Sequence, residues 1–253
     1  VATSTPDYAF PNQASLVQAK LKAVNAMCFD VSAACSGFIT ALDIAASMLK
    51  AGSYKYALVI GSEKMSEIVN WKDRSVCVLF GDGAGAVVLK AVDNNTEDDT
   101  GVSVGHERGI IDSNIYNDGT GASVLTGGRR FSDSCSTDIF IHMDGQEVFK
   151  FAVKSVPTAI ETLLHNNNMD VNDVDKFILH QANVRIIESV AKRLKADKDK
   201  FPVNLNEYGN TSSASIPILL DELNRNGSLK QEEKLVLAGF GAGLSWGSIL
   251  LVW

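Results

Sequence analysis

The chain has 253 residues, of which 45% are hydrophobic and 21% charged, a balance typical of a globular protein that buries a sizeable core. Its formal net charge of -7 argues against a general nucleic-acid binder, because affinity for phosphate backbones needs concentrated lysine and arginine. No apolar run approaches the roughly 20 residues that cross a bilayer, which argues against a membrane-spanning protein.

Short apolar runs rich in β-forming residues alternate with longer helical stretches along the chain. Such alternation predicts an α/β architecture with largely parallel sheets. In chain order the segments are MCFDV (27–31), SGFITALDIAASMLKAG (36–52), KYALVIGS (55–62), FILH (177–180), VRIIESVAKRLK (184–195) and KLVLAGF (234–240).

The first helical stretch carries apolar side chains around nearly its whole circumference, which is typical of a helix buried on all sides. We therefore expect a central helix between two sheets, with Cys35 at its N-terminal end. Free backbone N–H groups and the helix dipole at that end should lower the pKa of the thiol and make Cys35 a nucleophile. A core cysteine at a helix start is the alternative.

The polar stretch at residues 93–100 (DNNTEDDT) predicts a surface loop between two halves, residues 1–95 and 96–253. Each half places a reactive side chain, Cys35 or His180, after a short strand and before a helix. Each half also has a glycine-rich link into a strand, which suggests a duplicated unit whose copies share one site. These links are FGDGAGAVVL (80–89) and GFGAGLSWGSILL (239–251).

The four cysteines, at positions 28, 35, 77 and 135, show no spacing typical of a zinc site or a disulfide framework. Cys28 and Cys77 lie within apolar runs and are expected to be small buried hydrophobes. Free cysteines of this kind favour a cytoplasmic location.

Two further side chains attract attention but decide nothing alone. His180 ends FILH and opens LHQANVRI, and a lone histidine at a strand end is more often a structural residue than a catalyst. Asn210 lies in EYGNTSSAS, before an apolar helix at 216–223, and could be a turn or capping residue.

Taken together, DVSAACSGF (30–38), LHQANVRI (179–186), EYGNTSSAS (207–215) and FGAGLSWGS (240–248) resemble the β-ketoacyl-acyl-carrier-protein synthase III family of the thiolase superfamily. The segments TPDYAFPN, FGDGAGAVVL and HMDGQEVFKFAV are also similar, so the resemblance covers nearly the whole chain. It implies a thiolase-like layered α/β/α/β/α fold of two duplicated halves. Elongating synthases use Cys-His-His, and degradative thiolases carry a late second cysteine that this chain lacks.

The resemblance implies a two-stage reaction with Cys35, His180 and Asn210 as catalytic residues. Cys35 takes the acyl group from an acyl-CoA primer, while the backbone N–H groups of Cys35 and Ala242 stabilise the oxyanion. Malonyl-acyl carrier protein then loses carbon dioxide, and His180 and Asn210 donate hydrogen bonds to the enolate oxygen. No metal or redox cofactor is implied.

The resemblance also assigns binding residues. Arg74 matches a position that stacks on the CoA adenine, although an exposed surface arginine is an equal interpretation. Asn183 would line the pantetheine channel. Phe10 matches a residue that reaches across a homodimer and closes the neighbouring acyl pocket. His106, His142, His165 and Cys135 match no site residue and are assigned structural or surface roles.

The helix at 184–195 predicts a basic face beside His180, since Arg185 and Lys192 share one side and Arg193 and Lys195 flank them. Such a face would attract an acidic acyl carrier protein; a merely solvated helix face is the alternative. The inward side is apolar and consists of Ile186, Ile187, Val190 and Leu194.

Other functions on the same fold remain open at this point. One is a CoA-dependent acyltransferase, or a condensing enzyme of secondary metabolism, and another is a silent structural subunit, which the presence of Cys35 disfavours. Relatives normally carry a further βα segment before TPDYAFPN. Residues 1–253 alone are therefore expected to expose apolar sheet surface, to be poorly soluble and to be nearly inactive until an upstream segment is restored.

Overall fold

The structure is a computed structural model that describes residues 1–92, 108–128 and 138–253. The expected loop at 93–100, His106 and Cys135 lie outside these described residues. Within them, no helix is both long enough and apolar enough to cross a membrane.

Helices and strands alternate through most of the described chain. The helices are α1 (Gln13–Leu21), α2 (Gly37–Lys50), α3 (Gly145–Asn166), α4 (Val184–Leu194), α5 (Leu205–Tyr208) and α6 (Ser215–Arg225). The strands are β1 (Tyr56–Lys64), β2 (Asp82–Lys90), β3 (Gly109–Asn117), β4 (Leu125–Thr126), β5 (His142–Met143), β6 (Lys176–Leu179), β7 (Lys234–Gly241) and β8 (Ser245–Val252).

The strand pairs are mostly antiparallel, so the expectation of largely parallel sheets is wrong for the described strands. β1 pairs antiparallel with β2, and the second sheet has the order β3-β8-β7-β6, in which only β6 and β7 are parallel. β4 and β5 form a small antiparallel pair. The short turn at 242–244 joins β7 to β8 as a hairpin, a connection that permits only antiparallel pairing.

The central helix is where the sequence places it. α2 packs against β1 on one side and against β7 and β8 on the other, and Phe38, Ile39 and Leu42 are buried in the core between the two sheets. α6 shares this layer and packs on β2 and β6. The helix predicted after Cys35 is therefore confirmed as a central helix, but not as one buried on all sides, because Ile44, Ala45 and Met48 are half-buried and Ser47 is exposed.

β7 shows why the four-stranded sheet is buried on both faces. Its side chains alternate with a period of two, so Leu235 and Leu237 face α2 whereas Val236, Ala238 and Phe240 face α3 and α4. The layers are therefore the β1–β2 pair, α2 with α6, the four-stranded sheet, and α3 with α4.

The extended segment 27–31 differs from the strand that was predicted there. It makes a bridge only at Val31, which pairs in parallel with Ala2. Cys28 and Cys77 are half-buried rather than buried, so their assignment as buried hydrophobes is wrong.

Candidate active site

Cys35 lies in a 3-10 turn, Ala34–Ser36, that leads directly into α2. Its side chain is only 7% exposed. Gly241, at the end of β7, closes over it so tightly that an added Cβ would lie 2.9 Å from the Cys35 Cβ and 3.0 Å from its backbone nitrogen. The tight packing of β7 against this turn is what buries the thiol.

Burial raises the pKa of the Cys35 thiol to about 12. A hydrogen bond with the Ser212 side chain acts in the opposite direction, and the Glu63 carboxylate raises the pKa further. The expectation that the helix start lowers this pKa is therefore wrong, because desolvation outweighs it. Desolvation thus favours the neutral thiol over the thiolate.

His180 follows β6 and is 1% exposed. Its Nδ1 lies 2.7 Å from the Ser215 hydroxyl, and its ring meets Phe240 edge-on at 5.2 Å. Burial lowers the pKa of the imidazole to about 3. The ring is therefore neutral at physiological pH, and its Nδ1 is held by Ser215.

Asn210 is fixed by both its backbone and its side chain. Its N–H donates to Leu79 O at 2.8 Å, and its carbonyl accepts from Gly81 N at 3.0 Å. The side-chain Oδ1 accepts from Ser212 N at 2.9 Å. Since the oxygen is engaged, the amide N–H groups of Asn210 remain as the donors.

One turn, residues 210–215, connects all three predicted catalytic residues. Ser212 neighbours the Cys35 thiol and binds Asn210, while Ser215 binds His180. Serine and asparagine favour such turns because their side chains hydrogen-bond to nearby backbone groups. The structure thus brings together Cys35, His180 and Asn210, although their catalytic roles stay predictions.

The expected oxyanion donor, Ala242, lies in the turn between β7 and β8, directly after Gly241. Its carbonyl accepts from the Ser245 hydroxyl at 2.7 Å, and that hydroxyl lies 2.7 Å from Ser36 Oγ. These contacts hold the turn beside the Cys35 backbone. The position suits the predicted pair of backbone donors, Cys35 N–H and Ala242 N–H.

Glu63 is a buried residue that sequence reasoning missed. It is 4% exposed, and its carboxylate accepts from Ser212 Oγ at 3.0 Å and Ser213 Oγ at 2.8 Å. The sequence did contain a signal that Glu63 is buried. Side chains of a strand alternate between its two faces, so Glu63 lies on the same buried face of β1 as Val59 and Gly61. A carboxylate there is unusual enough to mark a site.

The predicted substrate-binding residues are spread around this centre. Arg74 is exposed in the segment between β1 and β2, and Phe10 is 87% exposed. Asn183 is the N-terminal cap of α4, since its Oδ1 accepts from Arg185 N at 2.8 Å. Their assignments to CoA, to a partner subunit and to the pantetheine channel stay predictions.

The face pattern predicted for α4 is present. The inward residues Ile186, Ile187, Val190 and Leu194 are buried. The outward basic residues Arg185, Lys192, Arg193 and Lys195 are exposed. Because α4 begins four residues after His180, this face lies beside the candidate site, and its partner remains a prediction.

The remaining histidines and acidic residues do not form a second candidate site in the described part of the chain. In the described ranges, no group of three or more His, Cys, Asp or Glu side chains is placed to hold a metal ion. His142 is exposed and lies 2.6 Å from Asp138, and His165 is exposed on α3, in keeping with the surface roles expected for both.

Comparison with known proteins assigns the family. Residues 29–119 match the family described as 3-oxoacyl-[acyl-carrier-protein (ACP)] synthase III. Residues 164–253 match the C-terminal part of the same synthases. The curated β-ketoacyl-[acyl-carrier-protein] synthase III of Clostridium acetobutylicum is 46% identical over 259 residues, which are 100% of this chain and 76% of that protein.

Solved structures agree with this assignment. The 3-oxoacyl-[acyl-carrier-protein] synthase III of Aquifex aeolicus VF5 has a TM-score of 0.89 and 45% identity, covering 100% of this chain and 75% of that one. The priming β-ketosynthase of the R1128 polyketide biosynthetic pathway has a TM-score of 0.89 and 34% identity, covering 99% and 73%. The predicted thiolase-like fold is confirmed, and the chain belongs to the β-ketoacyl-acyl-carrier-protein synthase III family of condensing acyltransferases.

Proposed function

We propose that this chain catalyses the decarboxylative Claisen condensation of an acyl-CoA primer with malonyl-acyl carrier protein, the initiating step of fatty acid synthesis. The observation that carries the proposal is the convergence of Cys35, His180 and Asn210 on one turn, in a chain of this family. A nucleophile and two hydrogen-bond donors are the groups that the two half-reactions need.

In the first half-reaction, the Cys35 sulfur attacks the acyl-CoA thioester and forms an acyl-enzyme. The carbonyl oxygen becomes negatively charged beside the Cys35 and Ala242 backbone N–H groups. Because the contact between Ser36 and Ser245 links the turn that carries Cys35 to the turn that carries Ala242, these donors need little reorganisation when the charge develops.

In the second half-reaction, loss of carbon dioxide leaves an enolate oxygen that needs donors. Asn210 presents its amide N–H groups because its oxygen is bound to Ser212 N. The neutral His180 ring can donate from Nε2 in the tautomer whose Nδ1 accepts from Ser215, a tautomer that requires the Ser215 hydroxyl to turn away from its other acceptor, Ser212 O at 3.0 Å. The enolate carbon then attacks acyl-Cys35 and gives a β-ketoacyl thioester, without a metal or redox cofactor.

The same proposal assigns the partners. The exposed basic face of α4 suits an acidic carrier protein, and Arg74 and Asn183 are assigned to CoA and its pantetheine arm. Exposed Phe10 fits a residue that contacts the second subunit of a homodimer. Cys28 and Cys77 are free thiols, which supports a cytoplasmic location.

The test is mass spectrometry of the protein after incubation with a panel of acyl-CoAs. We expect an acyl adduct on Cys35, release of CoA, and release of carbon dioxide only after malonyl-acyl carrier protein is added. Cys35→Ala should abolish the adduct and leave the fold intact, since a small buried thiol is replaced by a small apolar group. CoA release from this variant at the wild-type rate would refute the proposal.

A second candidate keeps the chemistry and changes the pathway. The similarity to a priming polyketide β-ketosynthase favours a condensing enzyme of secondary metabolism as the alternative. The acyl-CoA that acylates Cys35 fastest, and the carrier protein that accepts the product, distinguish the two. Transfer of the acyl group to an alcohol or amine, without carbon dioxide release, would indicate a simple acyltransferase.

A further inference from the structure

Glu63, near the end of β1, is a buried carboxylate that the proposed reaction does not use. In the described part of the chain, no Lys, Arg or His lies within ion-pair distance of it. Its Oε1 accepts from Ser212 Oγ at 3.0 Å and from Ser213 Oγ at 2.8 Å. Its Oε2 accepts from Ser4 N at 2.9 Å and from Thr5 Oγ1 at 3.0 Å. Burying a carboxylate without a cation is costly, so this one calls for a role.

Ser212 is the residue through which Glu63 reaches the candidate active site. Besides its hydroxyl, both backbone polar groups of Ser212 point to predicted catalytic residues. Its N–H donates to Asn210 Oδ1 at 2.9 Å. Its carbonyl oxygen lies 3.0 Å from the Ser215 hydroxyl, and that hydroxyl lies 2.7 Å from His180 Nδ1. Ser212 therefore contacts Asn210 directly and His180 through one intervening side chain.

The backbone of Ser212 has to be held in this arrangement. Its φ is 50°, in the left-handed region that residues other than glycine enter only at a cost. Such a conformation persists where several surrounding contacts fix it together. The bonds from Ser212 N to Asn210 and from Ser212 Oγ to Glu63 are two of them. Loss of the second would let the backbone relax and turn its polar groups away from Asn210 and Ser215.

We propose that Glu63 positions Asn210 and His180, the two donors for decarboxylation, by holding Ser212 in place from β1. Without this anchor, the Asn210 amide and the His180 ring lose a common support, and the enolate oxygen meets displaced donors. Glu63 touches no substrate and is a positioning residue. The inference rests on the proposed function, because it assigns Glu63 to the second of the two half-reactions.

The acylation half-reaction depends on other contacts. Cys35 is packed against the end of β7 at Gly241, and the neighbouring Ser36 hydroxyl lies 2.7 Å from Ser245 Oγ. The negative charge of Glu63 raises the pKa of the Cys35 thiol, so removal of that charge does not disfavour the thiolate. Loss of Glu63 should therefore separate the two half-reactions.

The experiment compares Glu63→Ala, Glu63→Gln and Ser212→Ala with the matched control Thr5→Val. Thr5 donates to the other oxygen of the same carboxylate at 3.0 Å, so its loss removes a similar contact and leaves the bond between Ser212 and Glu63. CoA release from acetyl-CoA measures acylation. Carbon dioxide release by enzyme already acylated during a long incubation measures decarboxylation, and urea unfolding measures stability.

We expect Glu63→Ala to slow carbon dioxide release by about 100-fold, the loss that follows a displacement of about 1 Å at reacting groups, and to leave acylation little changed. Ser212→Ala should slow carbon dioxide release to a similar extent. Glu63→Gln should recover most of the loss, because either end of its amide can hydrogen-bond to the Ser212 hydroxyl. Thr5→Val should lower stability without slowing either half-reaction.

Equal slowing of both half-reactions in Glu63→Ala would overturn the inference, because the carboxylate would then only support the core. Carbon dioxide release at the same rate in Ser212→Ala and Thr5→Val would overturn it too, and this comparison decides alone if Glu63→Ala does not fold. So would a Glu63→Gln variant as slow as Glu63→Ala, since the charge and not the contact would then matter. Absence of CoA release from the wild-type protein would instead refute the proposed function itself.

Discussion

Gly241→Ala offers a direct test of how the end of β7 positions Cys35. The new methyl carbon would lie 2.9 Å from the Cys35 Cβ and 3.0 Å from its backbone nitrogen. Carbon atoms in ordinary contact are about 3.5 to 4.0 Å apart, so either β7 or the Cys35 turn must move by about 0.6 to 1.1 Å. Neither is a flexible side chain that could rotate away.

The structural cost and the catalytic cost can be estimated separately. Overpacking a core site costs about 1 to 3 kcal/mol of unfolding free energy. A displacement of about 1 Å at reacting groups costs about 100-fold in rate, which is about 2.7 kcal/mol of activation free energy. We therefore expect a folded but less stable protein that acylates about 100-fold more slowly.

The assay is denaturant unfolding together with the rate at which acetyl-CoA acylates the cysteine, followed by mass spectrometry. Gly119→Ala is the matched control, since an added Cβ there meets nothing within 4 Å, and it should match wild type in both measurements. If Gly241→Ala kept the wild-type stability and acylation rate, the close packing of β7 against Cys35 would not position the nucleophile.

Three further predictions follow from the same site. His180→Ala and Asn210→Ala should spare acylation but slow carbon dioxide release by about 100-fold or more, because each removes a donor to the enolate oxygen; equal damage to both half-reactions would contradict these roles. Arg185→Glu should raise the KM for malonyl-acyl carrier protein and leave the rate of acylation by acetyl-CoA unchanged. Added salt should raise the same KM for the wild-type protein. The control Lys50→Glu, at the opposite end of α2 from Cys35, should change neither quantity. Burial lowers the pKa of His180 from 6.5 to about 3, so the unfolded chain takes up a proton at a higher pH than the folded protein does. The free energy of unfolding is therefore not reduced by this group above pH 6.5. Between pH 6.5 and about 3 it falls by up to about 1.4 kcal/mol per pH unit. Urea unfolding at stepwise lower pH measures this, and His180→Gln should flatten the dependence while exposed His165→Gln should not.

Local patterns in the sequence determined the helices whose inward and outward faces can be read from residues a few positions apart. The nearly all-apolar circumference of 36–52 predicts α2 as a central helix, which lies between the two sheets and is buried over much of its surface. The spacing of apolar and basic residues predicts the two faces of α4, which are confirmed. The family follows from four short motifs in their order. These features depend on residues two to four positions apart, which is the range over which helix and strand periodicity acts.

The tertiary structure decided what depends on residues distant in the chain. The pKa of Cys35 is raised rather than lowered because Gly241 and Glu63, far from residue 35 in sequence, close over it and bring a negative charge near it. The position of Asn210 likewise depends on Leu79 and Gly81, which hold its backbone. The antiparallel sheets follow from which strands pair, and alternation of helix and strand does not specify that. Desolvation, charge and strand pairing act between groups that only the folded chain brings together, so no local pattern contains them.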